Sequence, residues 1–167
     1  MRIVFTLAFL ILTPILVQAQ TSTLDHIPGF VIWNSKSIDA AADRLEKELG
    51  DKVLVYETIG NYKGNSMYLV LRGRTGTSEF HVNETDFQIT WRGKATFVIG
   101  GEIVDRTNKT PTQGRGTAIK GGTSYVLTPG DIMHVPPRTP HQHVIDPAEP
   151  YMYLLMKLDE DADAYKK

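Results

Sequence analysis

The stretch GRTGTSEFHVNETDFQITWRG, residues 73–93, alternates polar and apolar residues in the manner of β-strands. It carries three side chains of the kind that bind metals, Glu79, His81 and Asp86, where a simple sheet surface gains little from them. Alternate residues of a strand share one face, so Glu79 and His81 project on the same side. The fold and the role of these groups both depend on what surrounds this stretch.

Short strand-like runs, separated by Gly, Pro and Asn, fill the chain after Asp51. They are KVLVYETI, SMYLVLRG, SEFHV, FQITW, ATFVIGG, TSYVLT, DIMHV, HQHVI and YMYLLMKL. Nine such runs in about a hundred residues, without an intervening helical pattern, predict an all-β fold, either an antiparallel sandwich or a barrel. The segment between Asp105 and Gly122 is rich in Gly, Thr and Pro and predicts a long polar loop, which is more often functional than accidental.

One helix is predicted before the strands. Its apolar residues fall on one stripe, which consists of Ile38, Ala41, Ala42, Leu45 and Leu49. Ser37 is a candidate N-cap and Gly50 a candidate stop. The predicted organisation is a signal peptide at 1–19, an N-terminal arm and helix at 20–52, the β-barrel at 53–158 and a charged tail at 159–167.

The first residues, MRIVFTLAFLILTPILVQAQ, have the pattern of a secretory signal peptide, with cleavage expected after Ala19. The alternative is an uncleaved anchor, but the apolar run is shorter than the roughly 20 residues that a membrane span needs. The mature protein is therefore expected to be secreted or periplasmic, with no membrane association after signal cleavage.

Composition fits one domain, because the chain has 167 residues of which 41% are hydrophobic. The net charge is -1, with 18 basic and 19 acidic residues, so no basic surplus favours nucleic acid as a partner. The chain has no Cys. The core must therefore suffice without disulfides, or be helped by oligomerisation or a metal.

A second group of polar side chains lies near the C-terminal end. His141 and His143 are two residues apart in a strand-like run, so both leave the same face. If this pair and the Glu79–His81 pair both face the inside of one barrel, they form a polar cluster that an apolar interior does not tolerate unpaired. A metal ion is one way to satisfy such a cluster.

These spacings resemble the two motifs of the cupin family. Gly73, Glu79-Phe80-His81, Asp86 and Gly93 reproduce the spacing of the first motif, Gly, five residues, His-x-His, three or four residues, Glu, six residues, Gly. Gly130, Pro136 and His141 match the frame of the second motif. The resemblance covers residues 53–158 and implies a single-domain cupin-like antiparallel β-barrel, or jelly roll.

The resemblance implies that His81 and His141 are metal ligands and that Asp86 stands where the family has a ligating Glu. Three residues depart from the motifs. Glu79 stands in place of the first His, Arg138 in place of a Gly and Ile145 in place of an Asn.

Two imidazoles and two carboxylates would suit a divalent metal such as Mn, Fe(II) or Zn. Glu79 is either a ligand, a proton-transfer group or the partner of a basic residue. His143 either supplies a third imidazole or serves as a general base. Both residues are therefore candidate catalytic groups.

Two functions follow from the resemblance. One is a metal-dependent enzyme acting on a small oxygenated organic molecule, of the dioxygenase, isomerase or lyase type. The other is a non-catalytic module that binds a small ligand or metal, with a structural dimer that needs no metal as a third reading. A homodimer is expected because cupins commonly dimerise. Two Asn-x-Thr sequons, at Asn83 and Asn108, would carry glycans only in a eukaryotic secretory pathway.

Overall fold

The computed structural model describes residues 29–160, which form one helix and thirteen strands. Helix α1 spans Ser35–Leu49. The strands are β1 Leu54–Tyr62, β2 Asn65–Arg72, β3 Ser78–His81, β4 Glu84–Arg92, β5 Ala95–Ile99, β6 Glu102–Val104, β7 Thr107–Thr110, β8 Gln113–Gly116, β9 Ala118–Lys120, β10 Thr123–Leu127, β11 Ile132–Val135, β12 His141–Val144 and β13 Tyr151–Asp159. The predicted signal peptide, the start of the arm and most of the tail lie outside the described residues. Within 29–160, no helix is long and apolar enough to cross a membrane.

Every strand pairing in the described region is antiparallel. One sheet has five strands in the order β1-β2-β13-β4-β11, and a second has six in the order β10-β5-β12-β3-β8-β7. Strands β6 and β9 form a small third sheet. Each of the nine predicted runs overlaps one of these strands. The prediction of an all-β antiparallel barrel with one N-terminal helix is confirmed.

The five-stranded sheet has apolar residues on both of its faces, because helix α1 covers the outer face. On β2, Leu69 and Leu71 pack in a cluster with the helix, whereas Val70 lies in the barrel interior. On β13, Met152 joins the helix cluster, and Tyr151 and its alternate neighbours join the interior. The period of two therefore determines which side chains of each strand reach the interior of the barrel.

Helix α1 buries the stripe that its sequence predicts, against β1, β2 and β13. Gly50 is the C-cap, as expected, but the prediction of Ser37 as N-cap is wrong. The N-cap is Asn34, whose side-chain oxygen accepts a hydrogen bond from the Ser37 backbone N–H at 3.0 Å. Both residue types cap helices well, so the composition of this segment did not distinguish them.

The predicted loop between Asp105 and Gly122 is also wrong in part, because it contains β7, β8 and β9. Its glycines permit close packing in place of loop flexibility. A Cβ at Gly116 would lie 2.2 Å from the Ile103 side chain, so only glycine fits there. Strand β8 pairs with β3 and places Gln113 opposite His81 and Arg115 opposite Glu79.

Arg138 has a left-handed backbone conformation, with φ of 62°. The cupin motif that the sequence resembles has glycine at this position, and glycine adopts this conformation freely. The Arg138 backbone N–H donates to the His81 carbonyl at 2.6 Å, which ties the β11–β12 connection to β3.

Replacing Arg138 with glycine is expected to stabilise the protein. A left-handed conformation costs a non-glycine residue about 1–2 kcal/mol, and the freedom of glycine in the unfolded chain offsets about 0.5–1 kcal/mol of that gain. Urea denaturation of Arg138→Gly should therefore show a small increase in the free energy of unfolding. Arg138→Ala keeps the Cβ and should show no increase. Equal stability of the two variants would contradict backbone strain at this position.

Candidate metal centre

Three strands bring the four predicted ligands together inside the barrel. Glu79 and His81 lie on β3, Asp86 on β4 and His141 on β12, where His141 is the cross-strand partner of Glu79. The Asp86 Oδ2 atom lies 3.5 Å from His81 Nε2 and 3.4 Å from His141 Nε2. The Glu79 Oε2 atom lies 3.5 Å from His81 Nε2. Ligand atoms of Glu79, His81 and His141 are all within 4.8 Å of one another.

Both imidazoles are oriented by a hydrogen bond on the far side of the ring. His81 Nδ1 donates to the Gln113 side-chain oxygen at 2.6 Å, and His141 Nδ1 donates to the Thr139 carbonyl at 3.0 Å. Protein ligands of metals are commonly held in this way, because the bond selects the tautomer with a lone pair on Nε2. Both Nε2 atoms face the carboxylates, so the donor set fits a divalent metal.

Glu84 is a further candidate ligand that the sequence motifs did not identify. It forms a second group with His81 and Asp86 whose ligand atoms are within 4.8 Å of one another. Glu84 and Asp86 are two residues apart on β4, so the period of two could have predicted from the sequence that they share a face. The Gln113 amide donates to Glu84 at 3.0 Å and thereby links this carboxylate to the residue that orients His81.

Lys157 is the most consequential residue that sequence reasoning missed. On β13 it is the cross-strand partner of Asp86, and it continues the inward-facing series of Tyr151, Tyr153 and Leu155. Its ammonium donates to Asp86 Oδ1 at 2.9 Å and to Glu84 Oε2 at 3.0 Å. The same nitrogen lies 3.2 Å from His81 Nε2. A cation of the chain itself therefore contacts the groups that would hold a metal.

Arg72 and Arg115 supply the other positive charges of the centre. Arg72, which is 5% exposed, donates to Glu79 Oε1 at 3.2 Å and to the Tyr153 hydroxyl at 3.0 Å. Arg115 lies 3.6 Å from Glu79 Oε2. Burial alone would raise the pKa of Glu79, but its hydrogen bond with His81 and the two arginine charges hold that pKa well below its usual range.

The remaining charged groups stabilise one another in the same way. Burial opposes ionisation of Asp86, yet hydrogen bonds from His141 and His81 and the charge of Lys157 keep its pKa far below the usual value. Burial also disfavours a charged His81, but hydrogen bonds to Asp86 and Glu79 outweigh it and raise the His81 pKa to about 9. Burial would lower the pKa of Lys157, whereas Asp86 and Glu84 raise it.

His143 is buried among aromatic side chains of the barrel interior. Its Nε2 atom hydrogen-bonds the Gln88 side-chain oxygen at 2.9 Å, and its ring stacks on Tyr153 with centroids 4.9 Å apart. Burial, followed by the charge of Arg72, holds the pKa of His143 well below its ordinary value, so the ring is neutral. Neither potential ligand group within residues 29–160 includes His143. Its assignment as a proton-transfer group stays a prediction.

Removing the Arg72 charge is expected to destabilise the metal-free protein strongly. Arg72→Met leaves Glu79 ionised and largely buried, and breaking a buried ion pair typically costs about 3–5 kcal/mol. Arg74→Met is a matched control, because Arg74 pairs with Asp51 at the exposed surface. Chemical denaturation should show a large loss for Arg72→Met and little change for Arg74→Met. Equal losses would argue against electrostatic compensation at Glu79.

Comparison with known proteins supports the fold. No protein-family model matches the sequence, and no curated protein matches it either. Among solved structures, a Thermus thermophilus protein aligns with a TM-score of 0.50 and 14% identity over 71% of this chain and 94% of its own. Two further structures have lower TM-scores. A candidate mannose-6-phosphate isomerase from Ralstonia eutropha gives 0.46 and 17% identity over 66% and 88% of the two chains. A Klebsiella pneumoniae protein with a double-stranded β-helix domain gives 0.47 and 14% identity over 68% and 83%.

At these levels of identity the similarity shows the fold alone. The cupin-like jelly roll predicted from the two motifs is confirmed, and the function has to be argued from the centre itself.

Proposed function

We propose that the protein binds a divalent metal through Glu79, His81, Asp86 and His141 and acts on a small oxygenated organic molecule at the mouth of the barrel. The observation that carries this proposal is the arrangement of the two imidazoles. Each has its Nδ1 atom engaged by an acceptor and its Nε2 atom directed at a buried carboxylate. Such an arrangement directs both Nε2 atoms to one place, where a metal that displaces the His81 proton would find two imidazole ligands.

The donor set suits Mn, Fe(II) or Zn, because it combines imidazole nitrogens with carboxylate oxygens and contains no sulfur. When bound, such a metal would supply Lewis acidity to an oxygen atom of the organic molecule. A dioxygenase, isomerase or lyase reaction is compatible with these residues.

Glu79 fits the role of a ligand better than that of a free base. Its carboxylate is held by Arg72 and hydrogen-bonded to His81, and its low pKa makes it a weak proton acceptor. His143 is the other candidate for proton transfer: burial weakens it as a base as well, but its neutral ring can accept a proton. It would receive a proton at Nδ1, since its Nε2 atom hydrogen-bonds the oxygen of Gln88.

A second candidate function is a non-catalytic cupin, and the position of Lys157 favours it. The Lys157 ammonium already satisfies Asp86 and Glu84, so the buried carboxylates do not require a metal for the fold to be stable. In this alternative the barrel binds a small ligand or serves as a structural module.

We further propose that the mature protein is secreted or periplasmic and forms a homodimer. Export is supported by the basic start and apolar run of residues 1–19. N-terminal sequencing of exported protein should find residue 20 or a close neighbour at the start, and an intact Met1 would contradict cleavage.

The metal content of protein purified without chelator tests the proposed function. Elemental analysis should find close to one divalent metal per chain in the wild type. His81→Ala and His141→Ala should each lose it, because each removes an imidazole that the centre has positioned. The matched control is His134→Ala, since His134 is exposed on β11 and should keep the metal.

Circular dichroism should show that all four proteins are equally folded. Metal in the wild type and the control alone would support the proposal, and its elemental identity would narrow the reaction class. Absence of metal from all of them would reject the proposal and favour the non-catalytic alternative.

A further inference from the structure

A cavity of about 340 Å³ lies beside the proposed metal centre and shares residues with it. Glu79, Arg72, Arg115 and Lys157 line the cavity together with Tyr153. The rest of its wall is apolar or aromatic and consists of Leu54, Tyr56, Tyr68, Val70 and Leu155. Its volume is at the lower end of the range for small-molecule sites.

The charges of this cavity are asymmetric. Three basic side chains and one acidic side chain reach its lining, whereas Asp86 and Glu84 lie on the side of the metal centre. The side chain of Arg72 is 6% exposed and already contacts Glu79 and Tyr153. Arg115 and Lys157 have 26% and 22% of their side chains exposed, so they are the cations that a ligand would meet.

Arg115 has more N–H donors than its contacts within the protein use. Its ion pair with Glu79 is long, at 3.6 Å, and Glu79 is shared with Arg72. Its Nη1 atom donates to the Gly114 carbonyl at 3.2 Å. A guanidinium offers five N–H donors in a planar fork that matches a carboxylate or a phosphate.

Lys157 and a bound metal compete for the same groups. The Lys157 ammonium lies 3.2 Å from His81 Nε2 and 2.9 Å from Asp86 Oδ1, and both residues belong to the proposed ligand set. Two cations that close repel each other strongly where water is scarce. The flexible four-carbon stem of lysine allows its ammonium to move away from the metal. Because Lys157 lines the cavity, the ammonium can move into it.

Charge balance then determines what the cavity attracts. Without metal, the carboxylates of Glu79, Glu84 and Asp86 are paired with Arg72, Arg115 and Lys157. A divalent ion bound to the two imidazoles raises the net positive charge of this set, even where it displaces a proton from His81. A displaced Lys157 and the exposed Arg115 would both gain from an anion in the cavity.

We propose that the ligand of this site is a small organic anion with an apolar body, and that the anion and the metal bind cooperatively through Lys157. The inference rests on the proposed metal function. The anionic group, a carboxylate or a phosphate ester, pairs with Arg115 and the displaced Lys157, and the apolar body lies against Tyr56 and Tyr68, whose ring centroids are 5.8 Å apart. Coupling of this kind is reciprocal, so each ligand increases the affinity for the other.

Mn²⁺ binding, followed by the electron paramagnetic resonance signal of free Mn²⁺, tests the coupling. The probes are benzoate and phenyl phosphate as aromatic anions, and benzamide as the neutral analogue of benzoate. For the wild type, at least one anion should lower the Mn²⁺ dissociation constant about fivefold or more, and benzamide should not change it. The more effective of the two anions identifies the anionic group that the site prefers.

Two variants locate the effect. Lys157→Met should bind Mn²⁺ more tightly than the wild type in the absence of an anion, and the anion should no longer change that affinity. Arg115→Met should lose about tenfold or more in affinity for the anion. Lys94→Met and Arg74→Met are matched controls, because both residues form exposed ion pairs at the surface.

The outcomes separate this inference from the proposed function. If the wild type does not bind Mn²⁺, the metal function and this inference are both overturned. If Mn²⁺ binds but benzoate and phenyl phosphate act no differently from benzamide, only the inference is overturned. The inference would also be overturned if Arg115→Met and Lys157→Met showed the same coupling between Mn²⁺ and the anion as the wild type. Because Arg115 is partly exposed, the Arg115→Met variant remains informative if Lys157→Met folds poorly.

Discussion

Burial of carboxylates inside an apolar barrel is the constraint on which the rest of the centre depends. The side chain of Asp86 is 3% exposed and that of Glu79 17%, and an ionised carboxylate in such surroundings is very costly unless it is paired. Arg72 compensates Glu79, Lys157 compensates Asp86, and the two imidazoles bridge the carboxylates. The strand pairings bring these residues to one place, because β3, β4, β12 and β13 each contribute at least one inward-facing polar residue.

The same constraint explains how the centre can exist in two states. With Lys157 in contact with Asp86 and Glu84, the cluster is neutralised by the chain itself. With a divalent metal on the imidazoles and carboxylates, the ammonium becomes surplus charge that an anionic ligand could satisfy. In the proposed scheme, metal affinity, ligand affinity and fold stability are linked through one lysine. A cupin that lacked a cation at this position would have a stronger metal site and no such link.

The period of two predicted the strands and the residues that share a face, and the resemblance to the cupin motifs predicted the barrel and the convergence of four polar residues. Sequence reasoning missed Arg115 and Gln113, since their segment has the glycine content of a loop and its pairing with β3 depends on contacts with distant residues. The period of two that predicts strand β13 also places Lys157 on its inward face. A lone lysine near the end of a strand is usually solvated, however, so Lys157 was not selected. Asn34 was missed as N-cap because Ser37, also a capping residue, begins the apolar stripe. The pairing register between strands was therefore the feature that the sequence predicted least well.

The central claim is that one divalent ion can replace the contacts of Lys157 at this cluster. A crystal grown with Zn²⁺ and measured on both sides of the zinc absorption edge would locate the ion by its anomalous signal. The account predicts a single strong peak at about 2.0–2.2 Å from His81 Nε2, His141 Nε2 and at least one carboxylate oxygen, with the Lys157 ammonium moved away from Asp86. No peak at this position, with Lys157 still bound to Asp86 and Glu84, would contradict it.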